Sequence, residues 1–219
     1  MRYAADLAQM PLQAPSIAGQ LKAAGVSTVI VLTADGGLPF FLSPAATQQD
    51  FWPEWFLTGS SYTDTDAAGQ LCDQRQWQNA FGQSFMGEFR DGKTSESWRA
   101  YRAIRPDDEP TLTRDLDYYP MLMLFLGLQM AGPNLTPDTF QQGMYAYGRH
   151  AGTAGTWSFS PTDHTSSDDA REIYYNPKAV SPFNNRPGRY VSPAGDRRYG
   201  AGTWPSKDPG VPVPPAAAP

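Results

Sequence analysis

Residues 16–62 read SIAGQLKAAGVSTVIVLTADGGLPFFLSPAATQQDFWPEWFLTGSSY, and the order of patterns in this stretch decides the fold class. Ser16 stands ahead of IAGQLKAAG, a short amphipathic helix with Gly25 placed as its C-cap. Val26–Leu32 (VSTVIVL) is β-branched and mostly apolar, the composition of a buried strand. Thr33–Gly37 is a loop. Ser43-Pro44 then reads as a helix start, with proline at the first helical position. After Pro53, Glu54–Thr58 (EWFLT) reads as a second strand. Helix, strand, helix, strand with short connections is the signature of a parallel α/β sheet.

Beyond this core the pattern changes. Gly59–Gly69 is a polar loop. Gln76–Arg90 and Thr94–Ile104 read as helices, the second capped by Thr94 or Ser95. Asp115 or Asp117 starts a helix that runs to about Met130, apolar nearly all round and therefore expected to be buried. Thr136-Pro137-Asp138 combines a cap, a first-position proline and a first-turn acid, and the helix it opens runs to Tyr147. From Thr156 the chain turns β-rich, with TWSFS, REIYY and GRYVS separated by turn residues. The tail from Pro205, PSKDPGVPVPPAAAP, has six prolines and reads as an extended, disordered terminus.

Composition removes several functional classes. The chain has 219 residues and a formal net charge of −5, which argues against a nucleic-acid binder and its basic footprint. One cysteine, Cys72, excludes an internal disulfide framework, and with two histidines it leaves little for a metal site. No cofactor is implied. The longest apolar run, Met121–Met130, is shorter than the ~20 residues that span a bilayer. The N-terminus has no apolar stretch of signal-peptide length.

Several local patterns fail on inspection. Asp64-x-Asp66-x-x-Gly69 resembles the start of a calcium loop, but Ala68 replaces an oxygen ligand and Arg75 stands where a bidentate acid belongs. Gly82-Gln83-Ser84-Phe85-Met86 approaches a nucleophile elbow, but Met86 breaks it and the segment reads as helical. Asp163-His164 is read as a hydrogen-bonded turn and Cys72 as a small buried side chain. The better candidates follow the two strands. In open α/β sheets, ligands sit outside the carboxyl ends of the strands. There this sequence places Asp35 and then Ser60, Ser61 and Tyr62: an acid, two hydroxyls and an aromatic wall suited to a small zwitterion.

The segment AGQLKAAGVSTVIVLTADG, followed by FFLSPAATQQDFWPEWFLTGSSYTD, resembles the second lobe of type I periplasmic (solute-) binding proteins of the branched-chain-amino-acid-receptor kind. LDYYPMLMLFLGLQMAGPNLTPDTFQQGMYAYG resembles that family's return to its first lobe, and GTWSFSPTDHTSSDDAREIYYNP with GRY its final β-hairpin region. The resemblance spans roughly Ser16 to Trp204 and implies α/β, Rossmann-like parallel-sheet lobes of which this is the C-terminal part only, with the N-terminal half of the fold missing and a β-rich C-terminal end.

On this resemblance, residues 1–62 and 150–204 form a second-lobe portion. Residues 63–149 form a mainly helical first-lobe portion, and 205–219 a tail. The resemblance further implies Asp117 and Tyr118 as ligand contacts, an amino-acid-like ligand, and no catalysis. The parent would work with an ABC permease at an extracytoplasmic site, and the missing lobe would belong to a longer parent sequence or to a partner chain. Two other readings stand beside it: a non-catalytic assembly subunit that needs a partner chain, and a small α/β hydrolase.

Overall fold

A computed structural model of the chain describes residues 3–33, 35–87, 93, 95–109, 114–152, 155–193, 195, 197–200 and 202–203. The Pro/Ala-rich tail lies outside the described residues. Two compact units are resolved: Met1–Glu88 with Ala170–Pro219, and Phe89–Asp169.

The first unit opens with α1 (Met10–Ala23), β1 (Thr28–Val31), α2 (Leu38–Gln48), β2 (Glu54–Leu57), α3 (Asp66–Leu71), α4 (Gln74–Trp77) and β3 (Ala80–Ser84). α1 starts at Met10 rather than past Ser16, with a proline in its first turn where no N–H partner is needed. Met10, Ala14, Ile17 and Ala18 form its buried face, at helical spacing. α2 likewise starts earlier than Ser43-Pro44. Pro39 sits in its first turn and Pro44 lies inside the helix. The Ser43 hydroxyl donates to the Pro39 carbonyl at 2.8 Å and accepts the Asp73 N–H at 3.0 Å, which ties α2 to the start of α4.

The second unit carries α5 (Glu96–Ile104), α6 (Arg114–Ala131), α7 (Pro137–Tyr147), β4 (His150–Gly152) and β5 (Gly155–Trp157). Ser95 caps α5 by accepting the Trp98 N–H. Thr136 and Thr139 form a reciprocal capping box on α7, which begins and ends where its sequence predicts. α6 and α7 approach closely because both contribute glycine. A Cβ on Gly127 would lie 2.4 Å from the Phe140 ring, and one on Gly143 would lie 2.9 Å from Met130. The expectation of a buried α6 is corrected. Met121, Leu124, Phe125 and Met130 are exposed, Phe125 by 60%. α7 covers one side of a helix that is apolar on more than one side. Among the described residues no helix is long and apolar enough to cross a membrane.

The chain then returns to the first unit with β6 (Asp169–Val180), β7 (Pro187–Val191) and β8 (Arg198–Gly200). The sheet order is β1-β2-β3-β6-β7, and β8 also pairs with β6. β1, β2 and β3 are parallel, in register through Val31 opposite Leu57 and Leu57 opposite Gly82. β6 runs antiparallel to β3, and β7 antiparallel to β6. The helix expected over Gln76–Arg90 is corrected: among its described residues, Gln76 and Trp77 end the short helix α4 and Ala80–Ser84 is the strand β3. Phe81 is paired on both sides, to Phe56 and to Tyr174, and such two-sided pairing overrides the local helical spacing. β1 is an edge strand rather than a fully buried one: Ile30 and Leu32 are 65% and 73% exposed.

The core of this unit gathers around Trp55 and Trp77, whose ring centroids are 5.4 Å apart. The buried Gln76 amide accepts from the Trp55 indole at 3.2 Å and donates to the Phe51 carbonyl at 2.8 Å, so a fully buried polar group is satisfied. The Trp77 indole donates to the Tyr190 hydroxyl at 2.7 Å, joining the parallel and antiparallel halves.

Gly82 marks the tightest point of the sheet. Its φ is +156°, and a Cβ there would lie 2.1 Å from the Leu57 carbonyl oxygen of β2. Backbone cannot yield as a flexible side chain does. Gly82→Ala is therefore expected to cost about 3 kcal/mol or more of stability, read from urea denaturation of the two proteins.

Candidate functional site

Because β1, β2 and β3 are parallel, their carboxyl ends open on one edge of the first unit, and three loops meet there. From β2, the Thr58 hydroxyl donates back to the Val31 carbonyl of β1 at 2.8 Å. The Ser61 hydroxyl donates to the Thr33 carbonyl at 2.6 Å. A Cβ on Gly36, which has φ +65°, would lie 2.7 Å from the Ser61 carbonyl oxygen, so the β1 and β2 loops are in direct contact. The β3 loop closes the other side, where a Cβ on Gly59 would lie 3.1 Å from the Phe85 ring.

Four of the six residues expected at a site, Asp35, Ser60, Ser61 and Tyr62, are thus brought together. Asp35 is exposed, but its carboxylate is engaged: Oδ1 accepts the Gly37 N–H at the start of α2 at 2.8 Å, and Oδ2 accepts the Tyr3 hydroxyl at 2.7 Å. Burial, reinforced by the Asp35 carboxylate, pushes the Tyr3 phenol up to about 12. Ser60 to Tyr62 form a single 3-10 turn entered through Gly59 at φ +78°. Ser61 and Tyr62 hold φ of +51° and +59°. That conformation costs roughly 1–2 kcal/mol for each residue with a Cβ. Tyr62 is 49% exposed despite its size.

Asp117 and Tyr118 belong to the second unit. The structure places them inside the first turns of α6, which begins at Arg114, rather than at its cap. Asp117 is exposed and Tyr118 half-buried. Tyr118 packs edge-on against Tyr119, with centroids 5.3 Å apart. Burial, then a hydrogen bond to the Glu96 carboxylate of α5, raises its phenol.

Other features of this edge had no sequence signal, because they depend on β3. Arg171 of β6 donates through Nε to the Met86 carbonyl at 2.9 Å and through Nη2 to that of Gly87 at 3.2 Å. Arg198 donates to Met86 at 3.0 Å and to Phe85 at 2.7 Å. The two guanidinium groups fix three successive carbonyls beyond β3. Below the turn, Asp64 is 4% exposed. Its Oδ2 accepts the Ser84 hydroxyl at 2.5 Å, while its Oδ1 is buried without a hydrogen-bond partner among the described residues, as is Thr33 Oγ1.

Burial raises the Asp64 carboxyl above the usual range, against the opposing pull of the Ser84 bond and the Arg171 charge. Burial raises Asp66 in the same way, against its bonds to Ser181 and Tyr190. Ser84 lies at the end of a strand, not in a helix as expected, and is completely buried. Its hydroxyl contacts are Asp64 and Met86, and no imidazole is among them. A hydroxyl that is completely buried and bonded to the Asp64 carboxylate is not presented to a substrate. Asp163 accepts the N–H and the hydroxyl of Thr165 and simply closes a turn. Among the described residues no cluster of three or more His, Cys, Asp or Glu is arranged as metal ligands.

Chemically, the side chains of the β1 and β2 loops present acceptors. The hydroxyl hydrogens of Thr58 and Ser61 are spent on carbonyls, while Asp35 and the serine lone pairs still accept. Tyr62 and Phe85 are exposed aromatic side chains at this edge.

Asp35→Ala should cost about 1 kcal/mol in urea denaturation through loss of the acceptor for the Gly37 and Leu38 N–H groups ahead of α2, and Asp35→Asn should recover most of it. Stability should also depend on pH. A carboxyl whose native pKa lies above its unfolded value is favoured in its protonated form by the fold. Its stabilising contribution is full below about pH 4 and declines as pH rises toward the native value. Asp64→Asn, which cannot ionise, should therefore gain stability relative to wild type as pH is raised from about 4 to 7. A gap that moves the other way in paired denaturation curves would contradict the assignment.

The sequence matches no protein-family model and no curated protein sequence. Solved structures share its fold. A leucine-, isoleucine-, valine-, threonine- and alanine-binding protein from Brucella ovis, in its closed conformation, aligns with TM-score 0.50 and 12% identity over 84% of this chain and 47% of that one. The isoleucine complex of the branched-chain amino acid transporter substrate-binding protein LivJ from Streptococcus pneumoniae aligns with TM-score 0.49 and 14% identity, over 81% and 48%. An ABC transporter substrate-binding protein from Desulfitobacterium hafniense aligns with TM-score 0.48 and 16% identity, over 87% and 50%. The chain spans about half the length of the solved structures it matches.

Proposed function

We propose that this chain is the C-terminal part of the solute-binding component of an ABC importer, without catalytic activity of its own. One observation carries the reading: Ser61 and Tyr62 are held in left-handed backbone beside Thr33 and Asp35, at the carboxyl ends of parallel strands. Strained residues persist where surrounding structure over-determines them, and they concentrate at ligand clamps. The fold likeness to amino-acid-binding proteins supports the same reading.

The ligand class is an amino acid or a related small polar molecule. The acceptor-rich rim suits an ammonium group, backbone N–H groups suit a carboxylate, and Tyr62 and Phe85 suit the body of the ligand. Asp117 and Tyr118 are further ligand contacts in this reading. Ligand contacts made on both lobes favour the closed state over the open one, and a membrane permease then receives the closed form outside the cytoplasm.

The exposed apolar side of α6 and the outer edge of β1 favour a second element in the proposal. Such surfaces are normally paired or covered. In the parent they lie against sequence that the solved structures carry and this chain does not, whether in one polypeptide or as a partner chain.

The test is a thermal melt of the chain with each amino acid at millimolar concentration. A ligand at ~100 times its Kd adds about 2.7 kcal/mol, a shift that melting resolves. A branched-chain or small neutral amino acid should raise the melting temperature. Tyr62→Ala should abolish that rise while leaving the ligand-free melt within a few degrees of wild type. A rise that survives Tyr62→Ala unchanged would move the site elsewhere.

A further inference from the structure

The segment that follows the candidate ligand loop is tied down far more heavily than a connection between a strand and a short helix requires. Thr63, Asp64 and Asp66 are all buried. The Thr63 carbonyl accepts the Tyr190 hydroxyl of β7 at 3.0 Å. Asp64 accepts the Ser84 hydroxyl of β3 at 2.5 Å. Asp66 accepts the Ser181 hydroxyl just past β6 at 2.5 Å and the Tyr190 N–H of β7 at 2.8 Å. The charge of Arg171 on β6 acts on both carboxylates, and that of Arg189 on β7 acts on Asp66.

The turn itself is closed by the same residues. The Thr63 N–H and hydroxyl donate to the Ser60 carbonyl at 3.2 and 2.8 Å. The Thr65 N–H and hydroxyl donate to the Tyr62 carbonyl at 3.1 and 2.9 Å. The spacing that imitates a calcium loop is thus used otherwise: Asp64 and Asp66 point into the protein, and Thr65 between them caps α3 by accepting the Ala68 N–H.

We propose that Asp64, Asp66 and Tyr190 form a clasp that holds the Gly59–Tyr62 turn in its left-handed conformation, so that Asp66 and Tyr190 are positioning residues for ligand capture although neither touches the ligand. The turn has no regular secondary structure to stabilise positive φ at two successive residues that carry a Cβ. Its geometry is imposed from its downstream end, where the chain is bonded to β3, to the end of β6 and to β7. The half of the sheet beyond β3, which carries none of the proposed ligand residues, thereby sets the shape of the loop that does. The ligand half of this inference rests on the functional reading above; the clasp itself does not.

The experiment compares wild type with Asp66→Ala, which removes both acceptors, and Asp66→Asn, which keeps an acceptor for the Tyr190 N–H. Ser181→Ala, which removes one arm, serves should Asp66→Ala fail to fold. Two quantities are read on the full chain: amide hydrogen exchange at Thr63 and Thr65 against the strand β2, and the melting shift produced by millimolar leucine. The clasp predicts about tenfold faster exchange at Thr63 and Thr65 in the variant with β2 unchanged, and partial rescue in Asp66→Asn. Equal acceleration in the turn and in β2, or none in the turn, overturns it. If wild type ignores leucine, the functional reading loses support while exchange still decides the clasp. If wild type responds and a variant with a loosened turn responds equally, the positioning role is overturned.

Discussion

The short strand Ala80–Ser84 is the constraint on which the rest of the first unit depends. It is paired in parallel on one side and antiparallel on the other, so it carries the junction between two kinds of sheet. The junction leaves room only for glycine at position 82. It also delivers Ser84 and the carbonyls of Phe85, Met86 and Gly87 to the carboxyl edge, where Asp64, Arg171 and Arg198 meet them. Without β3, the parallel strands would have no connection to β6 and β7. The indole of Trp77 would also lose the Tyr190 hydroxyl that satisfies it.

This arrangement explains how a loop can be both exposed and exact in shape. A turn on the surface ordinarily samples many conformations, because few contacts oppose its entropy. Here the turn is three residues long, only Tyr62 of them is exposed, and it is anchored at both ends. Upstream, Thr58 and Ser61 bond to β1 and its loop. Downstream, buried acids bond to hydroxyls and to a strand N–H. Burying carboxylates is costly unless they are hydrogen-bonded and balanced by charge: Asp66 is bonded through both oxygens, Asp64 through one among the described residues, and burial raises both carboxyls against the nearby arginines. The second unit uses a different solution. Its helices are fixed by caps at Ser95 and Thr136 and by glycine contacts between α6 and α7, and it leaves an apolar stripe of α6 open.

Much of this was legible in the sequence, for reasons that are local. Thr136-Pro137-Asp138 specified the start of α7 because capping depends on neighbours three residues apart. VSTVIVL and EWFLT specified β1 and β2 because β-branched and aromatic runs between turn residues have few other uses. The carboxyl-end rule then placed Asp35, Ser60, Ser61 and Tyr62 on one edge. What escaped depends on partners distant in sequence. AFGQS carries helical spacing, and only its pairing with residues near 55 and 173 makes it a strand. The starts of α1 and α2 were displaced because prolines sit in first turns that begin earlier, a position where proline is harmless. The exposure of α6 was invisible because an all-round apolar helix looks the same whether or not its neighbour is present. Asp64 and Asp66 were singled out for their spacing, but their inward orientation follows from Ser84, Ser181 and Tyr190.

The central claim is that the carboxyl edge of β1 and β2 takes an amino-acid-like ligand. A titration of the isotopically labelled chain with leucine, followed by amide chemical shifts, tests it most directly. The account predicts shifts concentrated at residues 33–37 and 58–62, with the outer end of β6 unmoved by direct contact. Saturating shifts centred on any other part of the first unit would contradict it, as would a spectrum unchanged at millimolar leucine, isoleucine, valine and alanine alike.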